Sequence, residues 1–144
     1  MADSANLMRF LEAQNKMYLT AFSEIEKGKK ETHWMWFIFP QIKGLGSSDT
    51  ARYYAIENIK EAEEFLEHPI LGRHLIEITA LLLRLKHKSA EAVFGELDAL
   101  KLRSSMTLFA LAKNTNPVFK EVLEVFFFGQ SDSLTLSIIN AALL

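Results

Sequence analysis

The stretch WMWFIFP, residues 34–40, constrains the fold more than any other part of the sequence. It contains both tryptophans of the chain, two phenylalanines, a methionine and an isoleucine, and it ends at a proline. A segment this short cannot form a full amphipathic helix, and its residues are apolar on every side. Both of its faces should therefore be covered by protein. We predict a short helix or an extended segment buried in the centre of the domain.

Apolar residues on both sides of this stretch recur at intervals of three and four, which predicts amphipathic helices. Before it, the pattern covers residues 7–25, and Gly28 follows as a stop signal. After it, Ser47 or Ser48 can cap the second helix, and Asp98 can cap the fifth. The predicted helices span residues 7–25, 48–66, 69–85, 89–95, 98–111, 117–126 and 132–144.

No run of alternating residues bounded by Asn-Gly or Asp-Gly supports a β-sheet. The chain also has no fixed repeat, low-complexity tract or Pro/Gly-rich linker that would divide it. Its 144 residues fit one domain. We therefore predict an all-α fold, a single domain over residues 1–144. The domain should be a compact bundle of about seven helices, with the aromatic segment buried between the first two.

Composition limits the possible functions. The chain has no cysteine, which excludes disulfides, thiolate metal sites and cysteine nucleophiles. Its four histidines have no i, i+4 pairing, so we predict no metal and no other cofactor. A net charge of −2 gives no overall attraction for nucleic acid or for an anionic membrane. We therefore expect neither as a partner.

The most apolar stretch, residues 75–85, is interrupted by Glu77 and Arg84. It is also shorter than the roughly 18 residues that a membrane-spanning helix needs. The first residues show no basic region followed by an apolar one, as a secretory signal would. The sequence therefore predicts a cytoplasmic protein.

Polar residues frame the aromatic stretch, since His33 precedes it and Gln41 follows it. If they enter the core with it, each needs hydrogen-bond partners. His33 could be a general acid or base, or could stack with Trp34 or Trp36 against a planar ring such as a nucleobase. The alternative is a histidine that a backbone carbonyl satisfies and that anchors the loop. An aromatic pocket from the two tryptophans and Tyr54 would accommodate these polar groups and a ligand.

A second group of polar residues lies in DALKLRSSMT, residues 98–107. On a helix capped at Asp98, Lys101 and Ser105 share a face at the edge of the core. They could act as a base and a nucleophile, or as a cation and a hydroxyl that bind a phosphate. In the alternative interpretation Asp98 only caps, Lys101 reaches solvent, and Ser105 bonds to a carbonyl one turn earlier.

Arg73 lies in the first turns of the predicted third helix. There its guanidinium and free backbone N–H groups could together hold an anion. The alternative is a salt bridge to Glu61, Asp98 or Asp132. His68, just before this helix, is predicted to be a structural cap or turn residue.

Several blocks of the sequence carry a resemblance to a known family. They are THWMWFIFPQIKGLGSS (32–48), RFLEAQNKMY (9–18), HPILGRHL (68–75), FGELDALKLRSSMTLFA (94–110) and FFGQSDSLTL (127–136). In this order they resemble the family catalogued as domain of unknown function 1810. The resemblance implies a compact all-helical domain with no established reaction, substrate or cofactor. The polar residues that the family places in these blocks correspond here to Arg9, Gln14, Lys30, His33, Gln41, His68, Arg73, Asp98, Lys101, Ser104, Ser105, Thr107 and Asp132.

Two kinds of function are compatible with this sequence. In the first, an aromatic pocket binds a planar anionic ligand, a nucleotide or an ADP-ribose-like metabolite, and whether a reaction follows is open. Its ligand-binding residues would be Trp34, Trp36, Gln41, Tyr54, Arg73 and Ser104, and its candidate catalytic residues His33, Lys101 and Ser105. In the second, the domain is a non-catalytic protein-interaction or scaffold module. The aromatic stretch is then only core, and a surface patch recognises a protein.

Overall fold

The computed structural model describes residues 2–143, and the side chains of residues 6–142 within that range. The described part is all-α, as predicted, with no β-strand and with an isolated bridge between Ile42 and Ile56. Its helices are α1 (Ala2–Glu26), α2 (Met35–Ile38), α3 (Asp49–Tyr53), α4 (Ile59–Glu67), α5 (Leu71–Leu82), a 3-10 turn (Leu83–Leu85), α6 (Ala90–Phe94), α7 (Glu96–Ala110), α8 (Val118–Phe127) and α9 (Ser133–Leu143). The ends of the predicted domain, Met1 and Leu144, lie outside the described residues. Within residues 2–143, no helix combines the length and the apolarity that crossing a lipid bilayer requires.

The predicted second helix, residues 48–66, is two helices in the structure. Ser48 caps α3 and Asn58 caps α4, each through a side-chain oxygen that accepts from a backbone N–H. Between the helices, Ile56 pairs with residues 41–43 through two backbone hydrogen bonds of 2.8 Å. These bonds hold the chain extended where the apolar pattern alone predicted one continuous helix. That prediction was wrong, and with α2 it accounts for more helices than the seven expected.

The aromatic stretch forms one helical turn, α2, in the interior. Trp34 and Phe39 are 0% exposed and Ile38 is 1% exposed, as a buried segment requires. Trp36 differs, because it is partly exposed although it packs against the core. The prediction that both faces are covered is thus confirmed for every residue of the stretch except Trp36.

Helix α7 begins earlier than predicted. It begins at Glu96, directly after Gly95, which ends α6 with a φ of 84° that glycine adopts without strain. Asp98 therefore lies inside the first turn and is not the cap that the sequence indicated. Its carboxylate binds two lysines instead, Lys30 Nζ at 2.8 Å and Lys101 Nζ at 3.5 Å.

Other helix ends agree with the sequence signals. Gly28, with a φ of 86°, follows α1, Ser89 caps α6, and Asp132 caps α9. His68 Nδ1 accepts from the backbone N–H groups of residues 70 and 71, at 3.1 and 3.3 Å. His68 is therefore a structural cap, as expected.

The core forms where α1, α4, α5, α7 and α8 pack against one another. A chain of phenylalanine contacts crosses it, with centroid distances of 5.1 Å for Phe10–Phe65, 5.4 Å for Phe65–Phe109 and 5.8 Å for Phe109–Phe119. The short helix α2 packs against α1. The core therefore fixes the position of Trp36 at the surface.

Candidate functional site

Trp36 and Lys101 lie at the centre of a surface cleft. Three adjoining depressions make up this cleft, and both residues line all three. We call the whole the Trp36 cleft, and its parts the Tyr54, Asp132 and His33 depressions, each after one of its own residues. Lys101 Nζ is 5.4 Å from the centroid of the Trp36 ring, which is a cation–π contact between α7 and α2.

The Tyr54 depression is the most enclosed part of the cleft, with a volume of about 310 Å³. It is lined by Met35, Trp36, Phe39, Gln41, Ile42, Lys43, Gly44, Gly46, Ala51, Arg52, Tyr54, Ala55, Glu57 and Lys101. Its volume lies at the lower end of the roughly 300–1,000 Å³ found for small-molecule sites. At its edge the chain turns tightly at Gly46, where a Cβ would lie 2.5 Å from the Cβ of Ala51.

Besides Lys101, the charged side chains of the Tyr54 depression are Lys43, Arg52 and Glu57. Lys43 Nζ is 3.2 Å from Glu57 Oε1 in an exposed ion pair. Arg52 is exposed and has no ion pair or side-chain hydrogen bond with any residue that the structure describes. The Tyr54 ring packs 5.3 Å from that of Phe37, and burial raises the pKa of its phenol, so the hydroxyl stays neutral. The depression thus joins an aromatic wall to an arginine that is available to an anion.

The Asp132 depression adjoins the Tyr54 depression and shares Gln41 with it. It is lined by Trp36, Gln41, Leu45, Gly46, Ser47, Ser48, Ala51, Leu100, Lys101, Ser104, Asp132 and Leu134. Ser104 Oγ donates to Leu100 O at 3.1 Å, and Asp132 Oδ2 accepts from Thr135 N at 3.0 Å. Apart from Lys101, the charged and hydroxyl groups here are oxygen atoms that can accept hydrogen bonds.

The His33 depression lies on the other side of Lys101. It is lined by Lys30, His33, Trp34, Met35, Trp36, Phe94, Gly95, Glu96, Leu97, Asp98 and Lys101. His33 is exposed here, and its imidazole has no hydrogen bond with any described residue. The expectation that it enters the core and needs buried partners was wrong, and so was the alternative of an anchoring carbonyl. The chain bends out to solvent before α2, so the buried segment begins only at Trp34.

Trp34 offers no surface to a ligand. It is 0% exposed, and its Nε1 donates to Glu24 Oε1 at 2.9 Å. The same carboxylate accepts from Glu31 N at 2.7 Å, from Thr32 N at 3.0 Å and from Thr32 Oγ1 at 2.6 Å. Burial alone would raise the pKa of Glu24, but these hydrogen bonds outweigh burial and lower the pKa to about 2. The charged carboxylate holds the loop between α1 and α2, and Trp34 is part of that support.

Ser105 lies outside the cleft. It is 0% exposed, and its Oγ has no hydrogen bond with any group that the structure describes. The back-bond expected for Ser105 is made by its neighbour Ser104, and Lys101 Nζ is 3.5 Å from Asp98 Oδ1. The two residues are one turn apart on α7, but the prediction that both lie at the edge of the core was wrong for Ser105, which is enclosed, while Lys101 lies at the edge. A nucleophile and base formed by these two residues has no support.

Arg73 also lies elsewhere. It is exposed on α5 and lines none of the three depressions. Among the described residues it forms no salt bridge to Glu61, Asp98 or Asp132. Burial, and then the charge of Arg73, lower the pKa of the adjacent His74. The salt-bridge interpretation of Arg73 was therefore wrong, and Arg73 does not belong to the aromatic pocket; anion binding at the start of α5 stays a prediction.

Seven of the nine candidates thus line the cleft, and Arg73 and Ser105 lie outside it. Those that line it are His33, Trp34, Trp36, Gln41, Tyr54, Lys101 and Ser104, of which Trp34 is 0% exposed. Sequence reasoning missed Lys43 and Arg52. The available signal was the Gly-Leu-Gly segment at residues 44–46, after which helix α3 contributes Ala51 and Arg52 to the same depression as the aromatic stretch.

Comparisons with known proteins bear on fold and family. A family model described as "Protein of unknown function (DUF1810)" matches residues 4–139. The chain is also similar to the crystal structure of the conserved hypothetical protein Rv1873 from Mycobacterium tuberculosis. The two are 42% identical with a TM-score of 0.92, over 94% of this chain and 96% of that one. None of the curated proteins matches this chain significantly.

Proposed function

This chain belongs to the DUF1810 family, whose description names no activity, and we propose that it binds a small planar anionic ligand in the Trp36 cleft. The proposed ligand class is a nucleotide or an ADP-ribose-like metabolite. One observation carries the proposal: a partly exposed indole and an ammonium group, 5.4 Å apart, are common to all three depressions. A cytoplasmic location is part of the same proposal.

The aromatic component of the site supports a planar ligand. Trp36 packs against the core and is partly exposed, so its ring is already held in place and loses little conformational entropy when a planar ligand stacks on it. The Tyr54 ring lines the neighbouring depression, and its neutral hydroxyl can donate a hydrogen bond to a ring nitrogen or a carbonyl. These groups favour a flat ring over a flexible chain.

The charged component supports an anion. Arg52 and Lys43 line the Tyr54 depression, and Lys101 lies at its junction with the other two. Of these, Arg52 forms no ion pair with any carboxylate that the structure describes, and a guanidinium binds phosphate oxygens in pairs. An anionic group in this depression would therefore be bound by charge as well as by shape.

Thermal-shift measurements against nucleotides and phosphorylated metabolites test the proposal. A ligand present at 100 times its dissociation constant adds about 2.7 kcal/mol to the free energy of unfolding. For a chain of this length that is a shift of several degrees in melting temperature. Trp36→Phe and Arg52→Gln should each reduce the shift. The matched control is Arg73→Gln, an exposed arginine outside the cleft, and it should leave the shift unchanged.

A protein-interaction module remains the second candidate, because exposed leucines surround the cleft. Leu97 is 76% exposed, Leu100 59% and Leu134 63%. Clustered apolar side chains of this kind mark protein contact sites in soluble proteins. If no compound in a broad library shifts the melting temperature, the interaction function is favoured over ligand binding.

A further inference from the structure

The Asp132 depression differs chemically from the Tyr54 depression beside it. Lys101 lines both depressions; the Tyr54 depression adds Arg52 and the ion pair of Lys43 with Glu57, whereas the Asp132 depression adds the Asp132 carboxylate and three serine hydroxyls. An anion would be repelled by Asp132 and attracted by Arg52. The two depressions therefore suit different parts of one ligand.

Asp132 is fixed in position before any ligand arrives. Its Oδ2 accepts from Thr135 N at 3.0 Å and from Thr135 Oγ1 at 2.6 Å, and its backbone N–H donates to Thr107 Oγ1 at 2.9 Å. The loop before it is tied down by Arg103, whose guanidinium donates to Gln130 O and Ser131 O, both at 2.9 Å. Its second oxygen, Oδ1, has no partner among the described residues. One carboxylate oxygen is thus left for a donor in the cleft.

Ser104 supplies a second fixed acceptor. Its hydroxyl donates to Leu100 O at 3.1 Å, so its proton is committed and only its lone pairs remain. A ligand that meets both Ser104 and Asp132 should therefore present two hydroxyl donors side by side. The 2′- and 3′-hydroxyls of ribose are such a pair.

We propose, on the premise that the cleft binds a nucleotide, that the Asp132 depression binds the ribose diol, so that the ligand is a ribonucleotide. The base stacks on Trp36, and the 5′-phosphate enters the Tyr54 depression near Arg52. One ribose can reach both depressions, because they adjoin and share Gln41 and Gly46. Asp132 and Ser104 are then specificity residues that select the sugar.

The test compares ribonucleoside 5′-monophosphates with their 2′-deoxy and 3′-deoxy counterparts, with binding measured by calorimetry and by quenching of Trp36 fluorescence. A hydrogen bond to a charged group is worth roughly a tenfold change in affinity or more. The best ribonucleotide should bind the wild-type protein at least about tenfold more tightly than its 2′-deoxy form. In Asp132→Asn this difference should fall to roughly twofold or less, because the single amide oxygen stays with Thr135 and the cleft then meets an NH2 donor, which cannot accept the hydroxyl proton.

Asp132→Asn is a suitable variant because asparagine caps helices as well as aspartate does, and its Oδ1 can accept from Thr135. Ser104→Ala is a second variant, since alanine is the best helix former and the change removes only the second acceptor. Ser104→Ala should weaken binding of the ribonucleotide severalfold and should weaken binding of the 3′-deoxy form less. Ser133→Ala, at an exposed position outside the cleft, is the matched control and should change neither affinity.

The possible outcomes separate this inference from the proposal on which it rests. Equal binding of ribose and deoxyribose forms, or a ribose preference that persists in Asp132→Asn, overturns the diol assignment and leaves the Trp36 cleft as a nucleotide site. If planar anions that lack a sugar bind but no nucleotide does, this result also overturns only the diol assignment. If no planar anion binds at all, both are wrong.

Discussion

The two tryptophans are two residues apart in sequence, and each lies close to a lysine. Lys30 Nζ is 5.0 Å from the Trp34 ring, and Lys101 Nζ is 5.4 Å from the Trp36 ring. Both lysines bind the same carboxylate, Asp98, at 2.8 and 3.5 Å. The environments nevertheless differ, because Trp34 is fully enclosed and Trp36 is partly exposed.

Two things decide whether a tryptophan supports the fold or is available to a ligand. They are the group that accepts the hydrogen bond of its indole N–H and the residues that cover its ring. The Trp34 N–H is bound by Glu24, and its lysine is nearly buried, with 7% of the side chain exposed. The Trp36 lysine is 34% exposed and lies in an open cleft. We therefore expect changes around Trp34 to alter stability, and changes around Trp36 to alter binding. The predictions below test this division from the largest expected effect to the smallest.

Truncating the two tryptophans should give very different losses of stability. Trp34→Ala leaves a large cavity and removes a donor from Glu24, so we expect a loss of about 3–5 kcal/mol. Trp36→Ala removes a partly exposed ring and should cost less than about 1.5 kcal/mol. Urea unfolding followed by circular dichroism measures both. Equal losses would contradict the division between a structural and an available tryptophan.

Glu24→Gln tests the support beneath Trp34. At neutral pH the variant should lose about 2–3 kcal/mol, because an amide cannot accept all four hydrogen bonds that the carboxylate accepts. Glu31→Gln, at an exposed side chain, is the matched control and should change stability by less than about 0.5 kcal/mol.

The same variant has a signature in its pH dependence. The pKa of Glu24 is lowered in the folded protein to about 2 from 4.5, so the folded state binds this proton less readily than the unfolded chain does. The stability contributed by the carboxylate is complete above pH 4.5 and is lost as pH falls towards 2. The difference between wild type and Glu24→Gln should therefore shrink over this window. A difference that is constant with pH would rule out the charged carboxylate as its source.

The sequence predicted the environment of Trp34 better than that of Trp36. An apolar run between two helices indicates burial, and Trp34 follows that rule. Exposure of Trp36 depends on α3, which ends at Tyr53 because Ile56 pairs with residues 41–43. Such a pairing is non-local, so no periodicity within the helix could reveal it. For the same reason Lys43 and Arg52 were missed.

Helical spacing did not give the burial of residues inside α7. Lys101 and Ser105 are one turn apart and were both expected at the edge of the core, yet one lies in the cleft and the other is enclosed. A residue at the boundary of a helix face can be covered or open depending on the neighbouring helices, and spacing alone does not give their positions. Asp98 was similarly taken for a cap, although Gly95 lets the helix begin earlier and frees this carboxylate for two lysines.

Replacing each of the two lysines by methionine should also give different losses of stability, but the difference should be smaller than that between the two tryptophan variants. Lys30→Met removes a nearly buried cation from Asp98, and we expect a loss of about 1–3 kcal/mol. Lys101→Met breaks a partly exposed pair and should cost less than about 1 kcal/mol, while it weakens anion binding. Chemical denaturation gives the first comparison and ligand titration the second. A larger stability loss from Lys101→Met would show that this lysine is structural.

The smallest change in stability is expected for Trp36→Phe, which keeps an aromatic face on the core and should shift the free energy of unfolding by less than about 1 kcal/mol. Its effect on fluorescence should be large, because Trp34 is then the single tryptophan and is 0% exposed. Acrylamide should quench the tryptophan fluorescence of the wild-type protein in two components, one accessible and one protected. The fluorescence of the variant should show the protected component alone. If the variant retains a readily quenched component, Trp34 is reached by small molecules in solution. Its assignment to the supporting core would then be wrong, and the distinction between the two tryptophans with it.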